Sequence, residues 1–383
     1  MKKRDTEIRD MFEENGVISS ICEDPLYLEN QIITYMGSKR GNLLNLINKV
    51  IVSISQKLNK KKISFLDGFS GSGIVSRRLK CYSSVIYAND IELYSKIVNQ
   101  CYLSNMFDIN IKDIGEAISF INAHKLDNNL GNGFIEELYS PQNEYSISKQ
   151  DRLFYTKRNA KIIDNIRRMI EGYDNQYFFI APLLSEASIH TNTSGVFKGF
   201  YKDKRTKIGQ YGGTNKNALD RITREITLPI PVFSRYECEY NIYQEDINTL
   251  VDKIPEVDIA YYDPPYNQHP YGSNYFMLNL ISEYKKPLEI SRVSGIPTKW
   301  NRSEYNTKNA EKFIIDLFSK TKAKFILLSY SDEGIIQSSD IIKICDMFGK
   351  LTIHDLSHTV FRGCRNIQNR SSSVKEYIYV IEL

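Results

Sequence analysis

The residues with the most distinctive chemistry in this chain are Asp263, Pro264, Pro265 and Tyr266, which are consecutive. They come directly after Val257–Tyr262, a VDIAYY run whose apolar and β-branched content reads as a buried strand. Such a strand delivers the residues after it to the C-terminal edge of an open α/β sheet, where these sheets bind ligands. Two successive prolines stiffen the backbone and donate no hydrogen bond, so their neighbourhood presents acceptors. An exocyclic amine has two hydrogens to give, and Asp263 with the Pro264 carbonyl can accept both. The Tyr266 ring offers a face for stacking a planar base drawn out of a duplex, a contact that contributes about 1–3 kcal/mol. As those hydrogen bonds pull the amine nitrogen toward tetrahedral geometry, its lone pair turns toward an electrophile. The plain alternative is a proline turn that merely closes a strand.

A second constellation is Phe65–Gly73, FLDGFSGSG, with Gly68, Gly71 and Gly73 between an expected strand (Ile63–Asp67) and an expected helix (Ile74–Lys80). Glycines let the backbone pass close to a ligand, and a helix N-terminus offers free N–H groups. The GxxGxG spacing is not the GxGxxG of dinucleotide enzymes, no Walker lysine comes after it, and a tight strand-to-helix turn accounts for the pattern equally well. Asp90 closes the next expected strand, Val85–Asp90, 23 residues after Asp67. That is close to the ~20-residue offset at which a Rossmann-type acid holds ribose hydroxyls. Capping a helix from Ile91 onward is its alternative role.

Strand, glycine turn, helix and strand begin a doubly wound, Rossmann-like α/β sheet. Residues 1–30 read as a helical lead-in, and Gln31–Arg40 as a short strand running into a turn. Leu43, Leu44, Leu46, Ile47 and Val50 come next at helical spacing. Residues 31–104 thus form the first part of a catalytic α/β domain. From 105 to 229 the chain is rich in Asn, Tyr, Lys and Arg, with a helix over Asn159–Gly172 and few strand runs, and reads as an inserted, mainly helical domain. Residues 230–383 resume the alternation, with strands at Tyr236–Tyr243 and Phe325–Tyr330 and a helix at Ala310–Lys320. Leu351–Thr359 and Lys375–Glu382 suit an antiparallel pair.

Composition sets the remaining bounds. A chain of 383 residues, 42% hydrophobic and 25% charged, is that of a folded globular protein with room for two domains. The charged start MKKRDTEIRDMFEEN is unlike a signal peptide, and no apolar run approaches the roughly 18 residues of a membrane span, so a cytoplasmic protein without membrane contact is expected. The six cysteines (Cys22, Cys81, Cys101, Cys238, Cys345 and Cys364) are scattered without metal-type spacing; reduced thiols and no metal are expected. The net charge is only +4, but Ser148–Pro229 holds fifteen Lys/Arg against eight Asp/Glu. Within it Lys198, Lys202, Lys204, Arg205 and Lys207 surround Gly199-Phe200-Tyr201, a mixture suited to phosphates and base edges; a solvated loop is the equal alternative. The polar tail around Arg362, Arg365, Asn369 and Arg370 could also touch a nucleic-acid backbone.

With these pieces in place, the sequence resembles the Dam-like, D12-class DNA adenine-N6 methyltransferases over nearly its whole length. YMGSKRGNLLNLI (Tyr35–Ile47) resembles their N-terminal cofactor motif, FLDGFSGSG their glycine motif, ANDI (Ala88–Ile91) their ribose-binding acid, DPPYNQHPYGSNY (Asp263–Tyr275) their catalytic motif and LSYSDEG (Leu328–Gly334) a later strand motif. The resemblance implies transfer of the methyl group of S-adenosylmethionine to adenine N6 of a flipped base in double-stranded DNA, leaving S-adenosylhomocysteine and requiring no metal. It implies cofactor contacts from Tyr35, Lys39, Asp67, Phe69, Gly71, Gly73, Asp90, Ile91, Asp246, Ile247 and Asp263, with Lys39 neutralising the methionine carboxylate. Asp263, Pro264, Pro265 and Tyr266 would be catalytic, and the insert would read the target. A cognate restriction endonuclease is the implied partner, and a monomer suits hemimethylated DNA. Cytosine N4 or RNA adenine remain alternative targets, although Asp at position 263 favours adenine in DNA. A nicotinamide dehydrogenase and a DNA-binding module without catalysis are the rivals from other classes.

Overall fold

The computed structural model describes residues 23–30, 33–35, 39, 41–213, 215–359 and 373–383. The elements are α1 (Pro25–Glu29), α2 (Asn42–Lys57), β1 (Ile63–Asp67), α3 (Ile74–Leu79), β2 (Ser83–Asn89), α4 (Leu93–Leu103), α5 (Ile111–His124), α6 (Phe134–Tyr139), α7 (Lys157–Ile170), α8 (Tyr177–Ile189) and α9 (Leu219–Thr223). They continue as β3 (Glu239–Tyr243), α10 (Ile247–Leu250), β4 (Val257–Tyr262), α11 (Tyr271–Asn274), α12 (Phe276–Glu283), α13 (Ala310–Lys320), β5 (Ala323–Ser331), α14 (Ser338–Asp346), β6 (Lys350–Thr359) and β7 (Ser373–Glu382). Short 3-10 turns link several of them.

The strands form one seven-stranded sheet in the order β3-β2-β1-β4-β5-β7-β6. β3, β2, β1, β4 and β5 run parallel, and β7 lies antiparallel between β5 and β6. The chain winds outward from β1 to β3, then returns to place β4 on the other side of β1. The gap between the C-terminal ends of β1 and β4 is therefore the switch point at which open sheets hold ligands. β4 is buried along its whole length, as expected of a parallel strand covered on both faces. On one face Phe65, Ile86 and Ile259 pack with Leu43, Ile47 and Ile51 of α2. On the other, Leu66, Ala260 and Ile326 pack with α10, α13 and α14.

Between β2 and β3 the chain is mainly helical. α5 to α9 lie in residues 105–229, and the stretch between α8 and α9 carries only an isolated bridge from Lys202 to Gly209. The apolar faces of α5 to α8 share one core with α4 and α12; Tyr102, Ile163, Leu184 and Met277 are all fully buried there. α12 comes soon after the tetrad, so this core fastens the helical segment to the chain that leaves β4.

Two expected strands differ. Ile33, Thr34 and Tyr35 adopt no regular structure, and residues 31–32, 36–38 and 40 of the expected 31–40 strand lie outside the described residues. The strand expected over Tyr236–Tyr243 starts only at Glu239, because it is an edge strand whose sole partner, β2, offers Val85 to Glu239 as the first pair. Of the expected helical lead-in, Pro25–Glu29 is helix, and residues 1–22 lie outside the described residues. So do Arg362, Arg365, Asn369 and Arg370.

Candidate active site

Backbone hydrogen bonds place the glycine loop beside the tetrad. Gly68 N–H donates to the Tyr261 carbonyl of β4 at 2.9 Å, and Ser70 N–H to the Asn89 carbonyl at the end of β2 at 2.8 Å. Asp90 completes the arrangement: one carboxylate oxygen accepts from Gly71 N–H at 2.8 Å, the other from Glu92 N–H at 2.9 Å. Asp90 thus shapes the loop that it faces. Gly71 has a φ of +51°, and a Cβ there would stand 3.2 Å from the Tyr35 ring, so both conformation and space call for glycine.

These elements surround a cavity that opens to solvent, with about 910 Å³ of empty space counting the solvent at its mouth. Its wall brings together Tyr35, Lys39, Asp67, Phe69, Gly71, Asp90, Ile91, Asp246, Ile247, Asp263 and Pro265, residues drawn from five separate stretches of sequence. Three of the residues selected from sequence as catalytic or cofactor-binding are not on that wall. Gly73 starts α3 with a φ of +72° and faces Asn99, whose Oδ1 would lie 2.6 Å from an added Cβ. Pro264 is buried. Tyr266 stands to one side, half-buried and edge-on to Tyr330 with ring centroids 5.9 Å apart. Lys198, Lys202, Lys204, Arg205 and Lys207 are also off the wall. They occupy a turn in which the Asp203 carboxylate accepts Arg205 and Thr206 N–H, and Lys202 lies 4.6 Å over the Phe200 ring. None of the five forms an ion pair among the described residues.

Glu376 and Glu92 carry no recognisable pattern of their own. Glu376 reaches in from β7, where it pairs with Ser331, and lies 3.6 Å from Lys39 Nζ. Glu92, 2% exposed, lines the cavity and accepts from Asn279 at 2.5 Å and Asn301 at 3.1 Å. Tyr271 and Tyr275 clasp the Tyr35 ring at 5.0 and 4.7 Å. Both lie inside the DPPYNQHPYGSNY string, so the resemblance to the catalytic motif already reaches them.

One cation serves two carboxylates at the centre. Lys39 Nζ is 3.0 Å from Asp263, and Lys39 is almost fully buried, whereas 19% of the Asp263 side chain stays exposed. Burial raises the Asp263 carboxyl; Lys39 opposes the rise and Glu376 adds to it, leaving it at about 6. Burial also pushes Asp67 up to about 7, against the Ser76 hydroxyl that donates to it at 2.6 Å. Asp90 is pushed by burial to about 6, and Glu92 by burial and by Asp90 to about 7. Four raised carboxyls facing one lysine make a cavity suited to a cationic ligand and hostile to a pyrophosphate.

The Oδ1 atom of Asp67 is buried and has no hydrogen-bond partner, an acceptor waiting for a donor. The residues present therefore fit S-adenosylmethionine, which carries an ammonium and a sulfonium. Among the described residues no group of three or more His, Cys, Asp or Glu could hold a metal ion.

A family model for D12 class N6 adenine-specific DNA methyltransferases matches residues 35–344, and the chain belongs to that family of enzymes. Among its relatives, the type II methyltransferase M.NlaIII of Neisseria lactamica is 29% identical over 364 residues, covering 91% of this chain and 99% of that protein. The type II methyltransferase M.CviAII of Paramecium bursaria Chlorella virus 1 is 27% identical, covering 91% and 98%. Modification methylase StsI of Streptococcus sanguinis is 28% identical over 90% of this chain but 50% of its own length.

A pH profile tests whether Asp263 acts in the reaction. Its charge and its second acceptor oxygen need the ionised form, which is lost as pH falls through about 6. With S-adenosylmethionine saturating, so that the titration of Asp67 near 7 does not enter, kcat for methyl transfer should therefore be level at neutral pH and fall about tenfold per unit below about 6. A profile still level about two units lower would remove Asp263 from the rate.

Proposed function

We propose that this chain transfers the methyl group of S-adenosylmethionine to N6 of an adenine flipped out of a specific double-stranded DNA sequence, and that this marks DNA against a cognate restriction endonuclease. The observation that carries the reading is the position of Asp263: it opens the tetrad, lines the acid-rich cavity and pairs with Lys39. When bound, the cofactor supplies an electrophilic methyl on sulfur, which is a good leaving group.

The rest falls to the protein. The free oxygen of Asp67 accepts from the cofactor's ammonium, and Lys39 shares its charge between the cofactor carboxylate and Asp263. Gly71 and Phe69 admit the ligand to the loop. Asp90, Ile91, Asp246 and Ile247 hold the adenosine end. The acid-rich wall also favours the cationic donor over its neutral product, S-adenosylhomocysteine. Asp263 and the Pro264 carbonyl accept the two N6 hydrogens, Pro265 keeps them rigid and Tyr266 stacks the extruded base. Catalysis is positioning and hydrogen bonding at the amine, and Asp263 takes the released proton or passes it to water.

Lys198, Lys202, Lys204, Arg205 and Lys207 contact the duplex from the helical insert, residues 105–229. The enzyme acts as a monomer in the cytoplasm; among the described residues no helix is long and apolar enough to cross a membrane. Expression in a host lacking adenine methylation, with sequencing that detects modified bases, tests the function. Methylated adenine confined to one short sequence is expected; a genome without it would refute the reading.

A further inference from the structure

The segment that returns from α12 toward α13 has a character that the catalytic reading leaves unused. Residues 285–302, KKPLEISRVSGIPTKWNR, hold five Lys/Arg against one Asp/Glu, a charge equal to the net +4 of the whole chain. The segment is a built turn. Ile290 pairs with Pro297, Ser291 N–H donates to the Ile296 carbonyl at 2.8 Å, and Thr298 N–H to the Glu289 carbonyl at 3.1 Å. Gly295, at a φ of +68°, sits where a Cβ would stand 2.8 Å from both Arg152 and Tyr139. The Tyr139 hydroxyl donates to the Gly295 carbonyl at 2.7 Å, and Arg152 to that of Arg292 at 3.1 Å. A turn held this firmly nevertheless leaves Val293 64% exposed at its tip and Leu288 fully exposed at its base.

Its position is set by its anchors. The returning segment reaches Asn301, which lines the cavity and donates to the Ile91 carbonyl at 3.0 Å and the Glu92 carboxylate at 3.1 Å. Asn306 then ties the chain to the Asn267 carbonyl, one residue beyond the tetrad, at 2.6 Å. The turn bearing Lys198 to Lys207 is its neighbour: Gly209 rests on Leu153 as Gly295 rests on Arg152, and Phe197 N–H donates to the Asn274 carbonyl at 2.7 Å. Two basic turns thus stand on consecutive residues beside the catalytic strand's exit.

We propose that residues 285–302 form a second DNA-contacting arm, in which Arg292 and Lys299 bind backbone phosphates beside the target base while Leu288 and Val293 lie against the groove. This rests on DNA being the substrate. Cationic side chains fix a protein on the duplex, and exposed apolar ones are the kind that enter a groove or a base step. Arg292 and Lys299 form no ion pair among the described residues, whereas Lys286 is held by Glu137 at 2.7 Å. An anionic membrane would also attract such a turn, but it would occupy the space that the duplex needs at the cavity rim.

The test compares the full chain with an Arg292→Ala, Lys299→Ala variant on a short fluorescent duplex across a salt series. Loss of two phosphate contacts should lower the slope of log affinity against log salt by about 2 and weaken binding by roughly tenfold or more. Thermal midpoint and S-adenosylmethionine binding should not change, and phosphatidylglycerol vesicles should bind neither protein. An unchanged slope and affinity overturns the arm while leaving the enzyme's function intact, and so does a variant that loses only vesicle binding. If the unaltered protein binds no duplex at all, the arm and the DNA reading of the whole chain fall together.

Discussion

Replacing Asp263 by Ala is expected to cut methyl incorporation into DNA by about a hundredfold to a thousandfold or more while the protein stays folded, the range seen when one charge-stabilising hydrogen-bond group is removed from an active site. The loss is large because Asp263 serves two partners. It is the charged acceptor offered by the tetrad, and it is the closest carboxylate to Lys39, at 3.0 Å. The fold should survive, because Lys39 keeps Glu376 at 3.6 Å and the truncated side chain was 19% exposed. Asp263→Asn should also be poor: it keeps an acceptor oxygen but presents N–H to an amine and drops the charge. Labelled methyl transfer together with thermal unfolding reads both parts; a folded Ala variant at full rate would remove Asp263 from the chemistry.

Replacing Lys39 by Ala should have the second largest effect, on stability as well as rate. Without the cation, Asp263 and Glu376 share a buried site with nothing between them. Breaking a buried pair costs about 3–5 kcal/mol, and the partial exposure of Asp263 places the expected loss at the low end. Its carboxyl, already raised to about 6 by burial against the pull of Lys39, should rise further.

The sign is fixed by that direction. A carboxyl whose folded value lies above its unfolded value binds a proton more tightly when folded, so its charge destabilises the fold increasingly as pH rises from the ordinary carboxylate range through the raised one. The variant's deficit should therefore be smaller at about pH 5 than at about pH 8, as measured by denaturant unfolding. Methyl transfer at neutral pH should be lost and should recover partly as pH rises. Adding Glu376→Gln to Lys39→Ala should restore stability by removing one of the two charges. A Lys39→Ala protein as stable as the original at both pH values would contradict this account of the pair.

Legibility in the sequence depends on how local each signal is. β1, β4 and α13 begin and end where apolar runs and their stops place them, because Asp67-Gly68, Asp263-Pro264 and Thr321 mark those ends unambiguously. The glycine loop and the tetrad are legible for the same reason: each is a contiguous string whose chemistry is complete in itself. Lys39 reads in sequence only as a partner for the cofactor carboxylate. Its pairing with Asp263 depends on how the N-terminal segment lies across the sheet, which no spacing records. Glu376 is an unremarkable acid until β7 runs antiparallel to β5 and brings it opposite Ser331. Asn301 comes from a long connection without a pattern, which also holds the turn at 285–302. Gly73 is legible in the same motif for a reason the sequence does not state. Its motif suggests a close approach to ligand, while the atom that would oppose a side chain is Asn99 Oδ1.

The most direct test of the central claim is mass analysis of nucleosides from double-stranded DNA incubated with this protein and S-adenosylmethionine carrying a deuterated methyl group. The account predicts N6-methyl-2′-deoxyadenosine bearing the whole labelled methyl, and its loss in the Asp263→Ala protein. Label on cytosine N4 instead, or label on adenine that persists undiminished without Asp263, would contradict it.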